Sequence, residues 1–126
     1  MDTRSKILTV DSALEIDPLR PLTIVVGLFD ILRAAHVRDL AEIRRDTPDA
    51  VLMAIVLPDS EAVLSQRARA ELAAGLRVID YVLAVTDADL ERIAAALHPA
   101  AIVRLEDADR QRVQQLIEHV RRRQTR

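Results

Sequence analysis

Apolar residues along this chain fall into two alternating rhythms. Leu22-Thr23-Ile24-Val25-Val26 is a nearly unbroken β-branched run, the pattern of a strand buried on both faces. With Gly27 it predicts a first strand over 22–27. Val37, Leu40, Ala41 and Ile43 recur at helical spacing and predict a helix from about His36 to Arg45. Val51 to Leu57 reads as a second buried strand, stopped by Pro58. Leu64, Ala68 and Leu72 are spaced by four, which predicts a helix from about Glu61 to Ala74. Gly75 is placed to end that helix as its C′ residue. Arg77 to Val85 reads as a third strand. Thr86 with Asp89 three residues on has the form of a helix start. Leu90, Ile93, Ala94 and Leu97 line the helix that follows, and Pro99 ends it. Ala101 to Leu105 reads as a fourth strand. Asp107 opens a last helix, with Val113, Leu116, Ile117 and Val120 on one face. Ahead of all this, Thr9 to Leu19 reads as a short helix or irregular arm. Thr9 or Asp11 can cap it, and Pro18 and Pro21 end it.

Strand and helix thus alternate through the whole chain. The pattern predicts an α/β fold, a three-layer Rossmann-like parallel sheet with helices on both faces. At 126 residues the chain fits one domain over 1–126, with 1–21 as its N-terminal arm. In such folds ligands bind beyond the carboxyl ends of the strands, where the strand order switches. The turn after the first strand is therefore the place to look.

Composition narrows the function classes. The core must be built from Val, Leu, Ile and Ala, because Phe29 is the only Phe, Tyr81 the only Tyr, and Trp is absent. A net charge of −2 argues against a general nucleic-acid binder. Arg121-Arg122-Arg123 suits a solvated last helical turn. Without cysteine there are no disulfides or thiolate metal sites. No apolar run has the length of a membrane span, and the first residues lack the apolar stretch of a signal peptide. A cytoplasmic protein without a membrane partner is the expectation.

The turn reads Gly27-Leu28-Phe29-Asp30-Ile31-Leu32-Arg33-Ala34-Ala35-His36. It resembles the G-x-F-D-x-x-H-x-G-H motif of the cytidylyltransferase-like nucleotidyltransferases. Gly27, Phe29, Asp30 and His36 match in identity and spacing. Further stretches are similar to the adenylyltransferase domain of the ADP-heptose synthesis enzymes within that superfamily. They are Lys6-Ile7-Leu8-Thr9 with Ala13-Leu14, then Arg69 to Leu76 with Val78 to Val82, and Leu97 to Val103. The resemblance implies transfer of an adenylyl or cytidylyl group from a nucleoside triphosphate, carried with Mg2+, to a phosphorylated small molecule. It implies His36 and Arg33 as catalytic phosphate donors. It also implies Gly27, Leu28, Phe29, Asp30 and Ala35 as the nucleotide-binding turn, with no resident metal.

The motif departs from the family pattern at two positions. Arg33 stands where the first His is expected and Ala35 where the Gly is expected. Arg still donates to phosphate, through a longer fork. The Ala35 methyl crowds a nucleotide that needs bare backbone. The basic, Gly-containing loop after the second strand is reduced to Leu57-Pro58-Asp59-Ser60-Glu61. The Lys-Gly-Gly-Asp-Tyr-like run after the fourth strand reads Arg104-Leu105-Glu106-Asp107-Ala108. The late Ser/Thr-rich triphosphate motif has no counterpart.

Each residue also has a plainer reading. Asp30 can cap the turn by accepting backbone N–H bonds, and Phe29 can plug the core. Arg33 can be an exposed arginine and His36 a polar residue of a first helical turn. Asp87, Asp89, Glu106, Asp107 and Asp109 resemble a metal cluster on paper, yet sit at predicted helix starts where carboxylates are favourable anyway. His98 and His119 read as surface residues. Three functions follow: a divergent transferase, a binding module for a nucleotide or phosphorylated ligand without turnover (a pseudoenzyme), or a structural homo-oligomerising domain.

Overall fold

The computed structural model of the chain describes residues 3–16, 20–30 and 34–105, with 34–36 described by backbone alone. Four parallel strands form one sheet: β1 (Leu22–Gly27), β2 (Val51–Val56), β3 (Tyr81–Ala84) and β4 (Ala101–Arg104). Their order across the sheet is β3-β2-β1-β4. The register runs Leu22 beside Val51 through Gly27 beside Val56, and Thr23 beside Ala101 through Val26 beside Arg104. Every residue of β1 and β2 is buried, as their apolar runs require.

Helices cover both faces. Leu22, Ile24, Val26, Met53 and Ile55 point to one side, where they meet Ala13 of α1 (Val10–Leu14) and Leu90 and Ile93 of α4 (Asp87–Leu97). Val25, Leu52, Ala54 and Val56 point to the other, against Leu40 of α2 (Ala34–Asp46) and Ala70, Ala73 and Ala74 of α3 (Gln66–Ala74). This is the predicted three-layer α/β architecture.

Several predicted details need correcting. The helix before Gly75 starts at Gln66, not near Glu61, and Ser65 caps it by accepting from the Ala68 N–H. Its buried stripe is Arg69, Ala70, Ala73 and Ala74, whereas Leu64 and Leu72 are exposed. Alanines let the helix approach the sheet closely, and Leu72 faces outward. Gly75 sits at the C-cap itself with φ −70°, and makes no use of left-handed freedom. The third strand is shorter than 77–85, because Arg77 and Val78 lie in the turn that brings the chain from α3 to β3. The first helix stops at Leu14, ahead of Pro18, and its N-cap is Thr9. Val37 of α2 is 49% exposed rather than packed. The predicted helix from Asp107, His119 and Arg121 to Arg123 lie outside the described residues.

Two polar devices pin the frame. Arg44 of α2 donates to the carbonyls of Ala50 (2.6 Å) and Val78 (2.7 Å) and to Asp80 Oδ2 (2.9 Å). Asp80 Oδ2 also accepts the Leu52 N–H at 2.9 Å, so one pair fastens α2 to the entry of β2 and β3. At the β3 edge an N-terminal arm lies alongside. It opens with a 3-10 turn over Thr3–Lys6. Ile7 then bridges Val82 in parallel, the Leu8 N–H donates to the Val82 carbonyl (2.8 Å), and Lys6 Nζ donates to the Leu76 carbonyl (3.2 Å).

Candidate functional site at the carboxyl edge of the sheet

The chain runs outward from β1 to β2 to β3, then returns to lay β4 on the other side of β1. The strand order therefore switches between β1 and β4, and their carboxyl ends flank the crevice where such folds take ligands. Gly27, Leu28, Phe29 and Asp30 lead out of β1 at this point, and α2 begins at Ala34. Ala35 and His36 are thus the second and third residues of α2, in a first turn whose free N–H groups favour anions. Arg33 lies outside the described residues.

The turn owes its shape to its own packing. Leu28 and Phe29 are both buried, and Phe29 belongs to the core cluster beneath α2 and α3. Phe29 has φ 52°, in the left-handed region. That conformation costs a non-glycine residue about 1–2 kcal/mol, here held by burial of the ring. Gly27 has no positive φ, so the left-handed residue of the turn is not its glycine. The Phe29 ring fills the core.

Asp30 does accept backbone N–H bonds, and among the described residues they come from across the sheet edge. Its two carboxylate oxygens take the N–H groups of Val63 and Leu64, each at 2.8 Å, from the segment between β2 and α3. Arg69 of α3 completes this tie. It is 1% exposed. Its Nη1 donates to the carbonyls of Leu28 (2.9 Å) and Leu57 (2.8 Å), and its Nε to that of Leu64 (3.2 Å). One guanidinium thereby holds the exits of β1 and β2 together, a task suited to its rigid fork. Gln66 does the same for the next pair, donating from Nε2 to the carbonyls of Val56 (2.9 Å) and Val85 (3.2 Å). Beside Arg69 opens a cavity of about 470 Å³, walled by Pro58, Val63, Leu64 and Gln66.

On the other side of β1, Arg104 ends β4 level with Val26. Its Nη2 lies 3.4 Å from Asp87 Oδ1, in the first turn of α4. The predicted Thr86–Asp89 helix start is a full capping box. Asp87 and Asp89 are accordingly occupied by Arg104 and by the cap, while Glu106, Asp107 and Asp109 lie outside the described residues. Among the described residues no three His, Asp or Glu side chains converge as a metal-ligand set. His98 is exposed, as expected, and caps α4 in a left-handed conformation with φ 49°.

The structure thus brings Gly27 to Asp30 and the first turn of α2 to one end of the sheet, and adds Arg69, Gln66 and Arg104. Sequence reasoning passed over Arg69 and Gln66. They lie inside a helical stretch, and their partners are carbonyls of remote residues that carry no sequence signal. Arg104 could have been singled out, as a cation closing the strand next to the switch point.

No protein-family model matches the chain, and no curated protein is detectably similar to it in sequence. Among solved structures it is similar to the lipopolysaccharide core biosynthesis protein of Thermoplasma volcanium GSS1. The TM-score is 0.57 at 22% identity, over 66% of this chain and 72% of that one. No helix among the described residues is long and apolar enough to cross a membrane. The likeness shows a shared fold: the chain carries the same Rossmann-like α/β architecture as that protein.

Proposed function

We propose that this chain is a cytidylyltransferase-like nucleotidyltransferase domain that binds a nucleotide or other phosphorylated small molecule at the switch point, with its transfer chemistry weakened or lost. The observation that carries the reading is the position of the turn. Gly27, Phe29 and Asp30 leave β1 beside β4, and His36 falls in the first turn of the helix that follows. In the full reaction an acceptor phosphate oxygen bonds to the α-phosphorus of a nucleoside triphosphate, and the bond to the departing pyrophosphate breaks. Mg2+ would arrive with the triphosphate. Arg33, His36 and the N–H groups of α2 are the donors for its oxygens, and Arg104 adds a cation from the β4 side. The fold shared with a lipopolysaccharide core biosynthesis protein accords with a phosphorylated sugar as acceptor.

Weak turnover follows from the missing parts. Each donor lost from a preorganised phosphate site costs ~3 kcal/mol, about a hundredfold in rate. Thermal melts with each nucleoside triphosphate and Mg2+ test binding, since a ligand that prefers the native state raises the melting temperature. Pyrophosphate release, followed with sugar and alcohol phosphates, tests transfer. Little or no turnover is expected, and steady release near ~1 per second, abolished by His36→Ala, would show an intact enzyme instead. A purely structural role is the second reading. It is favoured by the inward filling of the turn, where Leu28 and Phe29 are buried and Asp30 is bound to the protein's own backbone.

A further inference from the structure

We propose that residues 58–65 form a strap that opens as a local unit, that Asp30 is its latch, and that the latch couples the strap to occupancy of the turn after β1. The coupling rests on the reading that this turn binds a phosphorylated ligand. The latch does not.

Among the described residues, the strap has few other ties. Val63 is 76% exposed and Leu64 37%, so neither anchors it by apolar burial. Its internal bonds are local, from the Glu61 N–H to Asp59 Oδ1 (3.1 Å) and from the Ala62 N–H to the Asp59 carbonyl (3.2 Å). Ser65 anchors its far end as the cap of α3. Among the described residues, what ties the rest to the body is the Asp30 carboxylate, which uses both oxygens on consecutive N–H groups, and the bond from Arg69 Nε to the Leu64 carbonyl. Bonds to an ionised acceptor are the stronger kind. A segment with few buried apolar contacts is where local opening occurs below the global unfolding free energy. Opening would expose Arg69, which with the strap and Gln66 lines the cavity. Asp30 also belongs to the turn leading out of β1, so a ligand that fixes this turn fixes the latch. By linkage, releasing the strap weakens that ligand in equal measure.

Amide hydrogen exchange on the full chain reads the latch directly, because the Val63 and Leu64 N–H groups are its donors. Asp30→Ala is expected to speed their exchange at least tenfold, about the worth of one charge-assisted bond, while Met53 to Val56 in β2 keep their protection. Val63→Pro removes one donor from the strap side, leaves Asp30 in place, and is expected to speed the Leu64 amide likewise. Unchanged exchange at these amides, or loss spreading equally to β2, overturns the latch. Tripolyphosphate with Mg2+ then serves as the probe for coupling. The expected result is slower Val63 and Leu64 exchange on binding, and several-fold weaker binding to Val63→Pro. Binding that leaves both unchanged overturns the coupling. If the probe does not bind the unmodified chain, the ligand reading and the coupling fall together, and the exchange of the unliganded variants still decides the latch.

Discussion

Removing the Arg69 guanidinium would take a donor from the carbonyls of Leu28, Leu57 and Leu64, the bonds to the first two being buried. Orphaned buried acceptors cost about 1–3 kcal/mol each. Arg69→Met, which keeps much of the apolar stem, is expected to lower unfolding stability by ~3 kcal/mol or more in urea titrations. Arg69→Lys should recover little of it, since an ammonium cannot span carbonyls arranged for a fork. Arg67, two residues earlier, is a useful contrast. It pairs with Glu71 at 3.4 Å on the exposed face of the same helix, and Arg67→Ala should change stability by less than ~0.5 kcal/mol. The i to i+4 spacing of Arg67 and Glu71 is visible in sequence, whereas the three partners of Arg69 are not. Arg33→His combined with Ala35→Gly restores the family turn. That double variant is expected to bind nucleoside triphosphates more tightly than the natural chain, as read by a larger rise in melting temperature.

Among the helix ends, those of α4 were legible in the sequence. Thr86 and Asp89 close a reciprocal capping box on α4, and Thr86→Ala should cost ~1 kcal/mol. At the other end of α4, His98 takes the left-handed conformation with φ 49° that glycine adopts without steric cost. His98→Gly is expected to raise stability by up to ~1 kcal/mol, seen as a higher melting temperature. The stretch 61–65 was misread as helix because Leu64 falls in phase with Ala68 and Leu72. The tertiary structure instead binds the N–H groups of Val63 and Leu64 to Asp30, and starts α3 with Ser65 as cap. A carboxylate more than thirty residues away in sequence outweighs one more turn of helix.

Over the whole molecule, the arm before α1 protects an edge. Ile7 and Leu8 pair with Val82, so the outer side of β3 is partly covered by the chain itself. An uncovered strand edge invites pairing with other chains. Deleting residues 1–8 is expected to increase self-association, measured by light scattering against concentration, and to lower the melting temperature. The fold-level positions of the candidate site residues follow from the strand order. With β4 on the far side of β1, the turn with Asp30 stands between the strap from β2 and Arg104 from β4.

The sequence by itself determined the layers. Continuous β-branched runs separated by helix-period stretches can be satisfied only by parallel strands covered on both faces, because each apolar residue must find a buried side. It also marked the turn after β1, through residue types at fixed spacing. Only the tertiary structure decided what those residues touch. Phe29 is consumed by the core, Asp30 by the backbone of the strap, and Arg69 by three carbonyls. Main-chain donors and acceptors are the same at every residue, so a side chain that binds them leaves no partner signature in the sequence.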